Sequence, residues 1–135
     1  MTNSRIGTIG WLDLTVANAE AIKDFYSAVA GWRSLPVSMG DYNDYCMIPD
    51  GREEPVCGIC HARGVNAEIP AQWVMYVTVA DLATSIAECE RRGGEVISGP
   101  RSYGAAAEYC LIRDPAGALV ALYAERQGGG DQNAG

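Results

Sequence analysis

Residues 13–32 read D-L-T-V-A-N-A-E-A-I-K-D-F-Y-S-A-V-A-G-W, and residues 76–95 read Y-V-T-V-A-D-L-A-T-S-I-A-E-C-E-R-R-G-G-E. Laid over each other without a gap, 63 residues apart, Thr15-Val16-Ala17-Asn18 meets Thr78-Val79-Ala80-Asp81, and Gly31 meets Gly94. Further on, Tyr45-Cys46-Met47-Ile48 matches Tyr109-Cys110-Leu111-Ile112 at a spacing of 64. Self-similarity at a fixed period marks a repeated structural unit. Identities are few, but the order of elements agrees in both copies.

Each copy opens on a strand. Leu12, Leu14 and Val16 alternate with Trp11, Asp13 and Thr15, and Met75, Val77 and Val79 alternate with Val74, Tyr76 and Thr78. That period of two belongs to a strand with one face on a core. Asn18 and Asp81 stand where an N-cap is needed, their side-chain oxygens able to accept from the unpaired N–H groups of a helix start. Ile22, Phe25, Tyr26 and Val29 then follow at helical spacing, as do Leu82, Ile86 and Cys89. Gly31 and Gly93-Gly94 can take the left-handed conformation that ends a helix. Short β-like runs come next, at about 33–38, 44–48 and 55–61, then at 95–98, 107–112 and 118–124. Gly40-Asp41, Asp50-Gly51 and Asp114-Pro115-Ala116-Gly117 are turn signals between them. The expected fold is therefore α+β, with two tandem βαβββ modules at about 5–62 and 72–126 joined by a linker over 62–71. Together they make a single domain over 1–127, and the glycine-rich stretch 128–135 is expected to be a flexible tail.

This arrangement resembles the vicinal oxygen chelate superfamily, which includes glyoxalase I, extradiol dioxygenases, fosfomycin-resistance enzymes and bleomycin-resistance proteins. The resemblance is carried most specifically by D-F-Y-S-A-V-A-G-W (24–32) and R-D-P-A-G-A-L-V-A-L-Y (113–123). It implies curled mixed sheets around a cavity. It also implies, for metal-using members, a histidine or similar ligand early in each module's first strand and a glutamate in its last. Those positions fall on Trp11 and Val74 (Gln72 in a variant placement), on Ala121, and near Gly58. Trp, Val, Ala and Gly offer no ligand atom, so no metal and no cofactor is expected. A divalent metal enters only through the alternative reading, a metal-dependent lyase, epimerase or dioxygenase with non-standard ligands. Asp13, His61, Glu108 and Glu125 are its conceivable donors.

Residues 57–61, C-G-I-C-H, match the string by which c-type haem is attached. Their place in the repeat is the last strand of module one. In a strand Cys57, Ile59 and His61 point one way, and Gly58 and Cys60 the other. Two thiols on opposite faces cannot share a zinc ion or close a disulfide. Covalent haem attachment also needs an export route, and the opening M-T-N-S-R-I-G-T-I-G-W-L-D has no apolar h-region. No haem is expected, and both cysteines read as small half-buried strand residues.

The chain of 135 residues carries a net charge of −7, with Lys23 its only lysine and its arginines scattered apart from Arg91-Arg92. That argues against nucleic acid, whose phosphates need clustered basic groups. No apolar run of about 18 residues is present, so no membrane span is expected. We expect a cytoplasmic protein with its five cysteines reduced.

If Leu12, Leu14, Val16, Met75, Val77, Val79, Val120 and Leu122 face the helices, the opposite faces carry the candidate ligand-binding residues. These are Trp11, Asp13, Thr15, Val74, Tyr76, Ala121 and Tyr123, with His61 at the mouth of the cavity. Phe25, Tyr26 and Trp32 read as core, while Trp73, Tyr42 and Tyr109 have no fixed direction. The resemblance, the missing ligands and the acidic charge imply a metal-free binder of a small aromatic or cationic organic molecule. The bleomycin-resistance proteins are the nearest functional model, and a homodimer is expected.

Overall fold

The computed structural model of the chain describes residues 5–126, so the glycine-rich stretch expected to be a tail lies outside the described residues. Eight strands and two helices follow in the order β1 (Ile9–Val16), α1 (Ala19–Ala30), β2 (Arg33–Ser38), β3 (Asn43–Ile48), β4 (Cys57–His61), β5 (Trp73–Thr78), α2 (Leu82–Arg91), β6 (Glu95–Tyr103), β7 (Ala107–Arg113) and β8 (Leu119–Glu125). A single 3₁₀ turn, Gly64–Asn66, interrupts the linker. The fold is α+β, with the βαβββ order occurring twice. Among the described residues no helix is long and apolar enough to cross a membrane.

The chain divides into two compact units, residues 11–74 and residues 75–126 with 5–10. In the first unit the strands lie in the order β2-β3-β4-β1; in the second the order is β5-β8-β7-β6. Each has one parallel pair, β1 with β4 and β5 with β8, and is otherwise antiparallel. Asp13 lies opposite Gly58, and Tyr76 opposite Ala121. Both members of these pairs are 63 residues apart, so the repeat seen in the sequence is the register of the parallel pair. Residues 5–10 join the second unit through the Gly7 N–H to the Thr78 carbonyl (2.7 Å) and the Thr78 N–H to the Thr8 carbonyl (2.9 Å). An Arg5–Glu125 ion pair adds to them.

The helices begin and end as their sequences dictate. Asn18 Oδ1 accepts from the Ala21 N–H at 3.2 Å, and Asp81 Oδ2 from the Thr84 N–H at 3.0 Å. Gly31 closes α1 at φ 75°. Gly93 (φ 94°) lets the Gly94 N–H reach back to the Cys89 carbonyl at 2.8 Å, the six-to-one bond of a Schellman end. Each helix covers one face of the four strands of its own unit. Under α1 lie Leu14, Tyr45, Met47, Cys57 and Ile59; α2 sets its own Leu82 against Cys110, Ile112, Leu122 and Ala124. Fully burying a side chain such as Ile59 or Leu82 contributes about 1.5–3 kcal/mol.

Two expectations are corrected here. Leu12 and Met75 do not face a core; they are 38% and 41% exposed. Each sits two residues before the point where its strand passes under the helix, so the alternation continues after the cover has ended. The second correction concerns the Y-C-M-I and Y-C-L-I match. Tyr45 and Met47 are core residues, with Cys46 paired to Gly58; in the second unit Cys110 and Ile112 are the core residues, and Leu111 pairs with Ala121. Since Gly58 corresponds to Ala121, Cys46 corresponds to Leu111, one residue away from the sequence match. A slip of one residue in a strand turns every side chain to the other face. Tyr45 is therefore buried beneath α1, whereas Tyr109 lies on the face away from α2.

Replacing Asn18 with alanine removes the oxygen that holds the first turn of α1. A loss of about 1 kcal/mol in unfolding free energy is expected, read from a lower denaturant midpoint at unchanged slope.

Candidate functional site

The face of the first unit turned away from α1 is organised around a residue without a side chain. The Trp11 Nε1–H donates to Asp13 Oδ1 at 2.7 Å. A Cβ added at Gly58 would stand 2.4 Å from that oxygen and 3.5 Å from the indole nitrogen. The indole–carboxylate pair thus occupies the space that any other residue at position 58 would need. Thr15, opposite Cys60, is 7% exposed, and Val74 is 5% exposed. Cys46, opposite Gly58, and Cys60, next but one along β4, share this face by the alternation of the strands.

The thiols of this unit are held in the protonated form. Burial, aided by the negative charge of Asp13, pushes Cys57 up to about 11. Burial pushes Cys60 up further still, with Asp13 and then Asp44 adding to it. Cys57 belongs to the core under α1 while Cys60 does not, so C-G-I-C-H lies in a regular strand with its thiols on opposite faces. His61 ends that strand, three residues beyond Gly58. Its backbone N–H donates to Asp44 Oδ1 at 2.9 Å, and its Nδ1 lies 3.5 Å from the same oxygen. Nδ1 is buried and has no hydrogen-bond partner among the described residues. The ring packs edge-on to Tyr42 at 5.3 Å, and the Arg63 guanidinium lies 4.2 Å from the centre of the Tyr42 ring. His61 therefore belongs to a group of its own with Asp44 and Tyr42, not to Trp11 and Asp13.

Trp73 joins the packing beside α1 with Tyr26 and Trp32. Tyr26 stacks on Trp32 at 5.7 Å and meets Trp73 edge-on at 5.4 Å, while the Trp73 Nε1–H donates to the Tyr26 hydroxyl at 3.2 Å.

The face of the second unit away from α2 is built differently. Tyr76 and Tyr109 approach at 6.1 Å between ring centres, Tyr103 meets Tyr109 at 6.1 Å, and Tyr103 meets Tyr123 at 6.0 Å. These are all the tyrosines of this unit, gathered into one cluster. Tyr76 stands on β5 and Tyr109 on β7, with β8 between them. They meet across β8 because the residue opposite Tyr76 is Ala121, 1% exposed and too small to keep the rings apart. Of the candidate residues, Tyr76, Ala121 and Tyr123 are thus brought together here; Trp11 and Asp13 meet in the other unit. Tyr103, Tyr109 and Arg101 on this face, and Cys46 and Cys60 on the other, are additions. Tyr109 was among the aromatics whose direction the sequence left open, and its pairing with Tyr123 fixes it on this face.

The positions at which family resemblance puts metal ligands can be tested in each unit by itself. In the first, Trp11 offers only an N–H donor, already spent on Asp13, Gly58 has no room for a carboxylate, and Val74 has no donor atom. In the second, Ala121 has none. The side chains at these four positions do not fit a divalent metal. Among the described residues, no three His, Cys, Asp or Glu gather in a way that could hold one.

The chain belongs to the Glyoxalase/Bleomycin resistance protein/Dioxygenase superfamily, whose family model matches residues 8–122. It is 30% identical over 121 residues to "Putative glyoxylase CFP32" of Mycobacterium tuberculosis, an alignment covering 88% of this chain and 46% of that protein. It is 27% identical over 136 aligned residues to "Anthracycline biosynthesis protein DnrV" of Streptomyces peucetius, covering 91% and 49%. The chain thus spans about half the length of these curated relatives. The crystal structure of methylmalonyl-CoA epimerase from Mycobacterium tuberculosis matches with a TM-score of 0.58 at 16% identity over 93% of each chain, a likeness of fold.

Two outcomes test this geometry. Gly58→Ala is expected to destabilise the protein by about 1–3 kcal/mol through overpacking against Asp13. The loss should shrink markedly in the Asp13→Ala background; additive losses in the double-mutant cycle would mean that the clash lies elsewhere. At pH 8 a thiol with a pKa of about 11 is thiolate in about a thousandth of molecules. Cys57 and Cys110, both pushed up to about 11 chiefly by burial, should therefore resist iodoacetamide in the native protein and react in denaturant. Peptide mass spectrometry reads both.

Proposed function

We propose that this protein binds a small planar aromatic molecule, without a metal, on the tyrosine-bearing face of its second unit. The observation that carries this reading is the cluster of Tyr76, Tyr103, Tyr109 and Tyr123 on one sheet face. Offset and edge-to-face ring contacts are worth about 0.5–1.5 kcal/mol each beyond the area they bury, and phenol hydroxyls at the edge orient polar substituents. Tyr103 is 64% exposed, so the cluster presents ring surface to solvent. The metal-free part of the reading is supported by the donor-poor residues at Trp11, Gly58, Val74 and Ala121. The name of the relative DnrV refers to anthracyclines, a fused-ring aromatic class, and this suits a ligand of that shape. The reading includes a cytoplasmic homodimer; Phe25 and Val29, 53% and 65% exposed one turn apart on α1, are apolar surface that a second copy could cover.

The test uses protein freed of metal with a chelator and a panel of naphthalene and anthraquinone probes, followed by melting temperature and intrinsic fluorescence. A ligand at a hundred times its Kd stabilises the folded state by about 2.7 kcal/mol. For a domain of this size that is a rise of several degrees. Tyr109→Ala should remove the rise while keeping the fold. No shift with any fused-ring probe, or binding that appears only after a divalent metal is added, would sink the proposal.

A further inference from the structure

We propose that the aromatic ligand carries an anionic group, a carboxylate or an ionised phenol, and that Arg101 receives it. This rests on the reading of the tyrosine face as the binding surface, and it names the chemistry that the face selects. Arg101 on β6 lies directly opposite Tyr109 on β7, and Tyr109 lies opposite Tyr123 on β8. A guanidinium and two phenol rings therefore stand in one row across the sheet.

The strand is shaped to put Arg101 there. Register shifts interrupt β6 between Val96 and Ser98 and between Ser98 and Arg101, irregularities of the kind that re-aim a side chain. Between them Gly99, at φ 94°, presses so close to β7 that an added Cβ would lie 3.0 Å from the Tyr109 carbonyl oxygen. The bend lets Arg101 Nε and Nη2 both donate to Ser98 Oγ, at 3.2 and 2.6 Å. A guanidinium has five N–H donors in a planar fork, and these two bonds leave the others available.

Among the described residues, no carboxylate lies within ion-pair range of Arg101. The shortfall is not one of supply: the chain has 17 acidic residues against 10 Lys and Arg. Arg5, Arg91, Arg92 and Arg113 each have a carboxylate partner. Arg33 and Arg126 donate to backbone carbonyls, Arg126 also to Ser102 Oγ at 2.6 Å; Arg63 lies over Tyr42, and Arg52 and Arg126 are exposed. Arg101, half-buried, is held by a neutral hydroxyl beside the tyrosine cluster. Partial burial of a positive charge is unfavourable until an anion meets it. A carboxylate matches the fork with two parallel bonds, while a ring attached to it lies among the phenols. The overall charge of −7 led to the expectation of a cationic ligand, whereas the group opposite Tyr109 is a guanidinium.

The experiment compares three probes of one ring system, naphthalene-2-carboxylate, naphthalene-2-carboxamide and naphthalen-2-ylmethylammonium, on wild type, Arg101→Gln and Tyr109→Ala at pH 7.5. The carboxylate is expected to bind at least about tenfold more tightly than the carboxamide and the ammonium. Arg101→Gln, which removes the charge and leaves an amide, should erase that preference, so that the carboxylate binds no more tightly than the carboxamide. Tyr109→Ala should weaken all three. Equal binding of all probes, tightest binding of the ammonium, or a carboxylate preference that survives in Arg101→Gln would overturn the inference while leaving the aromatic site standing. Binding of none would overturn the site and the inference together. Melting temperatures of the variants, measured in parallel, separate a lost site from a lost fold.

Discussion

A parallel strand pair lies inside each four-stranded unit of this protein, and its register is what the other features depend on. Parallel neighbours need a crossover between them, and here the helix with two further strands supplies it. Once β1 has paired with β4 through Asp13 and Gly58, and β5 with β8 through Tyr76 and Ala121, the helix must cover one face and leave the other open. On the open face both pairs set a large side chain against a very small one. That contrast decides what can lie there. Over Gly58 the indole of Trp11 and the carboxylate of Asp13 close on each other. Over Ala121 a tyrosine reaches across a whole strand to a second tyrosine.

The burial of the thiols follows from the same geometry. Cys57 and Cys60 stand on either side of Gly58, so one is drawn into the core and the other lies near Asp13 and Asp44. Burial and negative neighbours both favour the thiol over the thiolate. A sequence that matches a haem or redox string letter by letter is thereby placed where its chemistry is suppressed. Spacing along the chain carries chemical meaning only together with the period of the element that holds it.

The fold was legible because its evidence is redundant. Alternation at Leu14 and Val16, caps at Asn18 and Asp81 and a glycine stop at Gly31 all point to the same elements, and the repeat shows each twice. The candidate site was legible only in part. Alternation correctly put Tyr76, Ala121 and Tyr123 on one face, because β5 and β8 are regular. It left the direction of Tyr109 open, because the match of Y-C-M-I and Y-C-L-I conceals a one-residue offset that no local pattern reveals. Arg101 could not have been found by alternation at all. It follows two register shifts in β6, and after an irregularity the parity of a strand has to be counted afresh. The neighbours of His61 were not legible either. It ends its strand, paired with Val16, and its backbone N–H turns to the side chain of Asp44.

Two copies of one module have thus kept their register and parted in chemistry. In the first unit the open face holds Asp13 and Asp44 with an indole and two protonated thiols, a surface rich in hydrogen-bond acceptors and poor in positive charge. The second presents phenols, with the Arg101 guanidinium opposite Tyr109. A site of conventional metal type would draw the same donor residues from matched positions of both copies, so each copy would be constrained to stay like the other. Where those positions are Trp11, Gly58, Val74 and Ala121, that constraint is gone. Each face can then be shaped by its own side chains, and the exposed tyrosine face is the one whose groups are suited to an aromatic acid.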